Sequence, residues 1–218
     1  MKEHKRNIAV IFGGRSGEYE VSLMSARSVL DVIDRDRYDV IEIGITPAGH
    51  WLTGENTLQA FEQGLFNTLR SAHLLADPNM QGLYVMADEE TQKEIILPVD
   101  VYFPLVHGTF GEDGSLQGLL ELADAAYVGA NVASSAIGMD KGIFKALMTA
   151  HQIPVVESLV VLRSEIENKI EAVAEKAESL GNYPLFIKPA NCGSSVGITK
   201  CSNRADVLEG LQEAARYD

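Results

Sequence analysis

The chain has 218 residues, 46% hydrophobic and 22% charged, with a formal net charge of −13. That is enough apolar content for one large globular domain or two small ones. The acidity excludes a nucleic-acid binder, which needs a basic footprint against phosphates; it leaves room for a nucleotide, which needs only a few local amides and cations.

Cysteines and hydropathy narrow the class further. Cys192 and Cys201 are too few for a disulfide framework and match no zinc spacing. The first apolar stretch is cut short by Gly13 and Gly14, and no run approaches the ~20 apolar residues of a membrane span. The expectation is a cytoplasmic protein with reduced thiols and no membrane or nucleic-acid partner.

In chain order, residues 7–12 form a short apolar run ending at two glycines, which predicts a buried strand. Val21, Met24, Val29, Leu30 and Ile33 recur at helical spacing and predict a helix over 20–33. Residues 38–45 predict a second strand, closed by Thr46-Pro47. Strand, glycine turn, helix and strand make a βαβ unit and imply a parallel sheet. Residues 47–97 are less regular and suggest small strands near 49–52, 82–86 and 94–97. A buried strand is expected over 99–106, a helix over 115–123 and a short strand over 126–129.

Residues 131–138 are rich in small side chains and read as a linker. A helix follows over 140–151, then a strand over 157–162. Ser164 with Glu167 suggests a capping box for a helix running to Leu180, with Gly181 at its end. Strands are expected over 184–188 and 198–201, and a last helix over 204–217. The reading is an α/β chain of two units, 1–130 and 131–218.

Ligands of open parallel sheets bind beyond the carboxyl ends of the strands. Three glycine-bearing loops fall there. In the first, Gly13, Gly14 and Gly17 precede Glu18 and the helix. The G-x-G-x-x-G spacing is not met and the second strand ends without an acid, which rejects a dinucleotide site. Two readings stay open: Glu18 holds a substrate ammonium, or it only caps the helix.

The second loop, His107-Gly108-Thr109-Phe110-Gly111-Glu112-Asp113-Gly114, sets three glycines, two acids and a histidine at a strand end. Glu112 and Asp113 serve either a ligand or the helix dipole; the setting favours a functional His107. In the third, Lys188 ends a strand and Gly193-Ser194-Ser195-Val196-Gly197 follows. Amides and hydroxyls there suit phosphate oxygens, with Lys188 as a point charge. The lysine precedes the glycines, so this is a flap over phosphates and not a Walker A loop; a hairpin turn would also explain the glycines. Lys141 stands at a helix start, where the dipole disfavours a cation, and hints at an anionic partner. Lys145 reads as an ordinary solvated charge.

Together these residues resemble the D-alanine:D-alanine ligase family. Residues 107–118 match its signature H-G-x-x-G-E-D-G-x-x-Q-G at every specified position. Residues 13–22 resemble its substrate loop. Met139-Asp140-Lys141, Ile187-Lys188-Pro189 and Gly193–Gly197 resemble its ATP-contacting segments.

The resemblance implies a parallel-sheet, Rossmann-like N-terminal domain followed by the first α+β lobe of an ATP-grasp fold, with the C-terminal lobe absent. It implies that Glu18 binds the ammonium of the first D-alanine with His107 in the same pocket. Ser194 would link Glu18 to a later loop, as a catalytic pair. Lys141 and Lys188 would hold ATP phosphates beneath Gly193, Ser194 and Ser195. ATP and Mg²⁺ (or Mn²⁺) are the implied cofactors, with metal ligands beyond Asp218.

The implied reaction activates one D-alanine as an acylphosphate and joins it to a second amine, for peptidoglycan precursors. The protein's part is to neutralise crowded negative charge. A homodimer through the N-terminal domain is also implied. Family members are longer, so the 218 residues alone are expected to be inactive. The competing readings are another ATP-grasp carboxylate–amine ligase and a non-catalytic α/β binding fragment.

Overall fold

A computed structural model describes residues 5–87 and 93–218. They divide into two compact units, Met1–Ser135 and Ala136–Asp218.

The first unit is built on a seven-stranded sheet of order β6-β5-β4-β3-β2-β1-β7. Strand β1 (Arg6–Gly13) pairs in parallel with β2 (Tyr38–Ile45) and β7 (Val101–Pro104). It lies inside the sheet with helices on both faces, which is why its apolar run is continuous. Ala9 and Ile11 enter one core with Tyr102, Leu116 and Leu120. Val10 and Phe12 enter the other, with Leu23 and Ala26 of helix α1 (Tyr19–Val32). All four β1 residues are fully buried, each larger side chain contributing about 1.5–3 kcal/mol.

The expected parallel arrangement holds for β2-β1-β7. Beyond β2 the sheet turns antiparallel through β3 (Trp51–Thr53), β4 (Arg70–His73), β5 (Leu83–Val85) and β6 (Ile95–Leu97). Helix α2 (Thr57–Gln63) lays Phe61 on β2, where a Cβ at Gly44 would overlap the ring. Helix α3 (Ser115–Leu122) follows β7. The strand expected over 126–129 is a single parallel bridge, Tyr127 opposite Tyr102.

Residues 131–138, where a linker is expected, are helical: helix α4 (Val132–Met139) occupies them, and Asn131 Oδ1 accepts the Ser134 N–H as its cap. The division between the units falls inside this helix.

In the second unit, α5 (Lys141–Ala150), α6 (Arg163–Glu178) and α7 (Arg204–Ala214) accompany an antiparallel pair, β8 (Leu185–Ile187) and β9 (Thr199–Cys201). Its core joins Val173, Ala174, Cys201, Val207 and Leu211. The strand expected over 157–162 does not form. A strand exists only where a neighbour pairs with it, and the described strands of this unit pair with each other. The Ser164–Glu167 capping box is also absent: the helix starts earlier, and the Leu162 N–H donates to Glu165 Oε2 at 3.1 Å.

Candidate active site

Strands β2, β1 and β7 end on one edge of the sheet, and their loops meet there. The Gly14 N–H donates to the Ile45 carbonyl at 2.8 Å. Ser22, fully buried on α1, accepts from the Gly13 N–H (2.7 Å) and donates to the Leu105 carbonyl (2.6 Å). One hydroxyl thereby ties the ends of β1 and β7 together. Gly13, at φ +85°, allows this tight turn; a Cβ would overlap the Ile45 carbonyl.

These ties bring Glu18 and His107 together. Ser16 Oγ donates to the His107 carbonyl at 2.7 Å and accepts the Glu18 N–H at 3.1 Å. The Glu18 carboxylate is buried, 7% exposed. It lies so close to Gly108 that a Cβ there would sit 2.5 Å from Glu18 Oε2. His107 Nε2 shares a 2.8 Å hydrogen bond with Ser25 Oγ, and Nδ1 lies 3.9 Å from Glu112 Oε1.

The two acids of the second loop brace it. Glu112 Oε2 accepts the Gly108 N–H at 2.8 Å. Asp113 accepts from the Phe110 and Ser115 N–H groups, at 2.8 and 2.9 Å. Burial pushes the Asp113 carboxyl up, but those donated hydrogen bonds outweigh it and leave its pKa below the usual carboxylate value. Gln117, buried, donates to the Gly111 carbonyl at 2.9 Å.

Sequence reasoning missed Ser16, Ser22, Ser25 and Gln117 as braces. Gln117 carried a signal as a specified position of the motif, and Ser16 and Ser22 only as members of the loop over 13–22.

Lys141, Lys188, Gly193, Ser194 and Ser195 belong to the second unit. Asp140 caps α5, accepting from Gly142 and Ile143 at 2.8 Å. The Lys141 ammonium donates to the carbonyls of Ala190 (3.3 Å) and Cys192 (2.5 Å), and its N–H to Ala190 (3.1 Å). Its position against the helix dipole therefore has a local cause: it braces the glycine-rich loop. Lys188, directly after β8, is exposed, its ammonium 5.9 Å from the ring centroid of Phe186, which is also exposed.

The hairpin foreseen as a competing explanation exists, since β8 and β9 pair. Its connection, residues 188–198, far exceeds the roughly 2–5 residues a hairpin needs. Ser194 and Ser195 are exposed there at φ +43° and +64°, and Gly197 at φ +67°. An exposed ammonium beside a glycine-rich loop that carries two serine hydroxyls fits a phosphate-bearing ligand. Among the described residues there is no group of three or more His, Cys, Asp or Glu that could hold a metal ion.

Residues 7–130 match the family model described as D-ala D-ala ligase N-terminus, and residues 147–218 that described as D-ala D-ala ligase C-terminus. The chain belongs to the D-alanine–D-alanine ligase family. It is 46% identical over 214 residues to a D-alanine–D-alanine ligase of Heliobacterium modesticaldum, covering 98% of this chain and 58% of that protein. It is 42% identical over 215 residues to one from Natranaerobius thermophilus, with the same coverages.

Among solved structures, the VanG D-Ala:D-Ser ligase from Enterococcus faecalis matches with a TM-score of 0.82 at 35% identity, over 99% of this chain and 61% of that one. The D-alanine-D-alanine ligase from Coxiella burnetii matches with a TM-score of 0.81 at 31% identity, over 98% and 61%. The chain thus spans about 58% of the length of these curated relatives. The α/β fold class of the family's N-terminal part is the fold found here. No described helix is long and apolar enough to cross a membrane.

Proposed function

We propose that the chain serves the ATP-dependent ligation of D-alanine, residues 1–130 holding the first D-alanine and residues 131–218 the phosphates of ATP. The observation that carries this reading is the buried Glu18 carboxylate set against Gly108 beside His107. A buried carboxylate beside an imidazole, beyond the carboxyl ends of parallel strands, suits the α-ammonium of an amino acid, whose charge complements it.

In this reading Ser25 orients the His107 ring toward the same substrate. ATP would supply the phosphoryl group that converts one carboxylate oxygen of the substrate into a phosphate leaving group, with release of ADP. Lys188 and the amides and hydroxyls of Gly193, Ser194 and Ser195 offset the negative charge that then accumulates. Lys141 exchanges its loop carbonyls for a phosphate, a stronger charge-assisted contact. The reading assigns catalytic roles to Glu18 of the first unit and to Ser194 of the second. The two named solved ligases share D-alanine and differ in the amino acid joined to it, so the proposal rests on the first substrate. A homodimer through the first unit belongs to the same reading, and sedimentation velocity measures it.

The test is titration of the chain with D-alanine and L-alanine, followed by amide NMR and calorimetry. D-alanine should move the Glu18 and Gly108 signals, and Glu18→Gln should weaken it about 10- to 100-fold, the worth of one charged hydrogen bond at roughly 1.5–3 kcal/mol. Equal response to both enantiomers, or an unaffected Glu18→Gln, would refute the proposal.

A further inference from the structure

We propose that Arg15 is a positioning residue, which with Phe110 clamps the loops after β1, β2 and β7 and so sets His107 against Glu18. Arg15 sits in the β1 loop, between Gly14 and Ser16. Its guanidinium lies over the Phe110 ring, 4.9 Å from the centroid, in the β7 loop. Its stem lies on Gly49 of the β2 loop, where a Cβ would come within 2.7 Å of Arg15 Cδ. Because β1 lies between β2 and β7, one side chain from its loop reaches both neighbours.

Phe110 gives the independent observation. It holds φ +64°, which a side chain with a Cβ adopts only at a cost, and it is 47% exposed. Burial therefore does not explain an aromatic ring at this position. The Phe110 N–H donating to Asp113 holds the backbone there, and Arg15 covering the ring accounts for the aromatic side chain.

The clamp acts through its neighbours. Ser16, next to Arg15, donates to the His107 carbonyl, and Glu18 follows two residues on. Gly13, Gly14 and Gly17 leave this loop with much conformational freedom. A contact across the loops removes that freedom before any ligand arrives, which is how preorganisation raises affinity. That Glu18 and His107 receive D-alanine is the reading proposed above, and the value of the clamp to binding rests on it.

The test uses Arg15→Ala, Arg15→Lys, Phe110→Ala, Phe110→Tyr and the double alanine variant of the full chain. The His107 imidazole signals are followed by NMR, assigned with His107→Gln. Both alanine variants should broaden or split those signals, and the double variant should go no further than either single one. Phe110→Tyr should keep the original signals, because a phenol ring still stacks, and Arg15→Lys should fall between. D-alanine affinity should drop about fivefold in the alanine variants, the worth of one stacked cation. His107 signals unchanged in both alanine variants overturn the clamp. If D-alanine fails to move any signal of the unsubstituted chain, the substrate assignment falls, and the clamp is still decided by the His107 signals alone.

Discussion

Replacing Gly108 with alanine tests the core of the site, because two costs can be worked from the structure. Gly108 holds φ +71°, a conformation that costs an L-residue about 1–2 kcal/mol. The added methyl would sit 2.5 Å from Glu18 Oε2 and 3.3 Å from Ser16 Cβ. The carboxylate must retreat by about 1 Å to restore ordinary contact, and at 7% exposure it has little room. Overpacking of this kind costs roughly 1–3 kcal/mol, so Gly108→Ala should lose about 2–5 kcal/mol in all. Gly118 is the control: it lies inside α3, and a Cβ there meets nothing within 4 Å. Gly118→Ala should gain about 0.5–1 kcal/mol through helix propensity. The assay is urea unfolding followed by the fluorescence of Trp51, the single tryptophan, in β3 of the first unit. A Gly108→Ala chain within about 0.5 kcal/mol of the original, or a Gly118→Ala chain destabilised by more, would refute the packing argument.

Two further outcomes are expected. Lys141→Ala removes the ammonium held by Ala190 and Cys192; amide exchange over 190–197 should quicken by about 5- to 10-fold, the worth of a partly exposed charged hydrogen bond near 1 kcal/mol, and unaltered exchange would show that Lys141 does not brace the loop. Tyr102 has a buried hydroxyl with no hydrogen-bond partner among the described residues, and burial pushes its pKa up to about 12 from 10. The unfolded chain therefore ionises first, so the stability tied to this phenol is complete below pH 10 and lost, by about 2 kcal/mol, as pH rises to 12. Tyr102→Phe should lose that component of alkaline sensitivity and gain about 1 kcal/mol near neutrality; a destabilised Tyr102→Phe chain would show that the hydroxyl is satisfied in solution.

What could be read from the sequence divides along physical lines. The β1-α1-β2 unit was legible because Ala9, Val10, Ile11 and Phe12 are all buried, and a strand covered on both faces must be apolar throughout. Strand β4 was not: of Arg70, Ser71, Ala72 and His73 only Ala72 is buried, so hydropathy carries almost no trace of it. The segment 157–162 shows the opposite error, since β-branched residues supply propensity but not a pairing neighbour. In the site, the glycines and Glu18, His107 and Lys188 stood out by type and place. The work of Ser16, Ser22 and Ser25 was invisible, because each bonds a partner 82 or more residues away in the chain.

The motif over 107–118 owes its specificity to structure more than to chemistry. Gly108 makes room for the Glu18 carboxylate, and Gly111 for the Val106 carbonyl. Glu112 accepts from Gly108, Asp113 from Phe110 and Ser115. Gly114, at φ +92°, opens α3, and Gln117 holds Gly111. These contacts are made by the loop to itself or to its nearest neighbours, and they leave His107 as the side chain the loop delivers. A loop this heavily self-braced resists local opening. It can therefore present one imidazole and a backbone surface near Glu18 without waiting for a ligand to order it. For the proposed guest, an amino acid as small as alanine with few atoms over which to recover an ordering cost, such rigidity would be a condition of useful affinity.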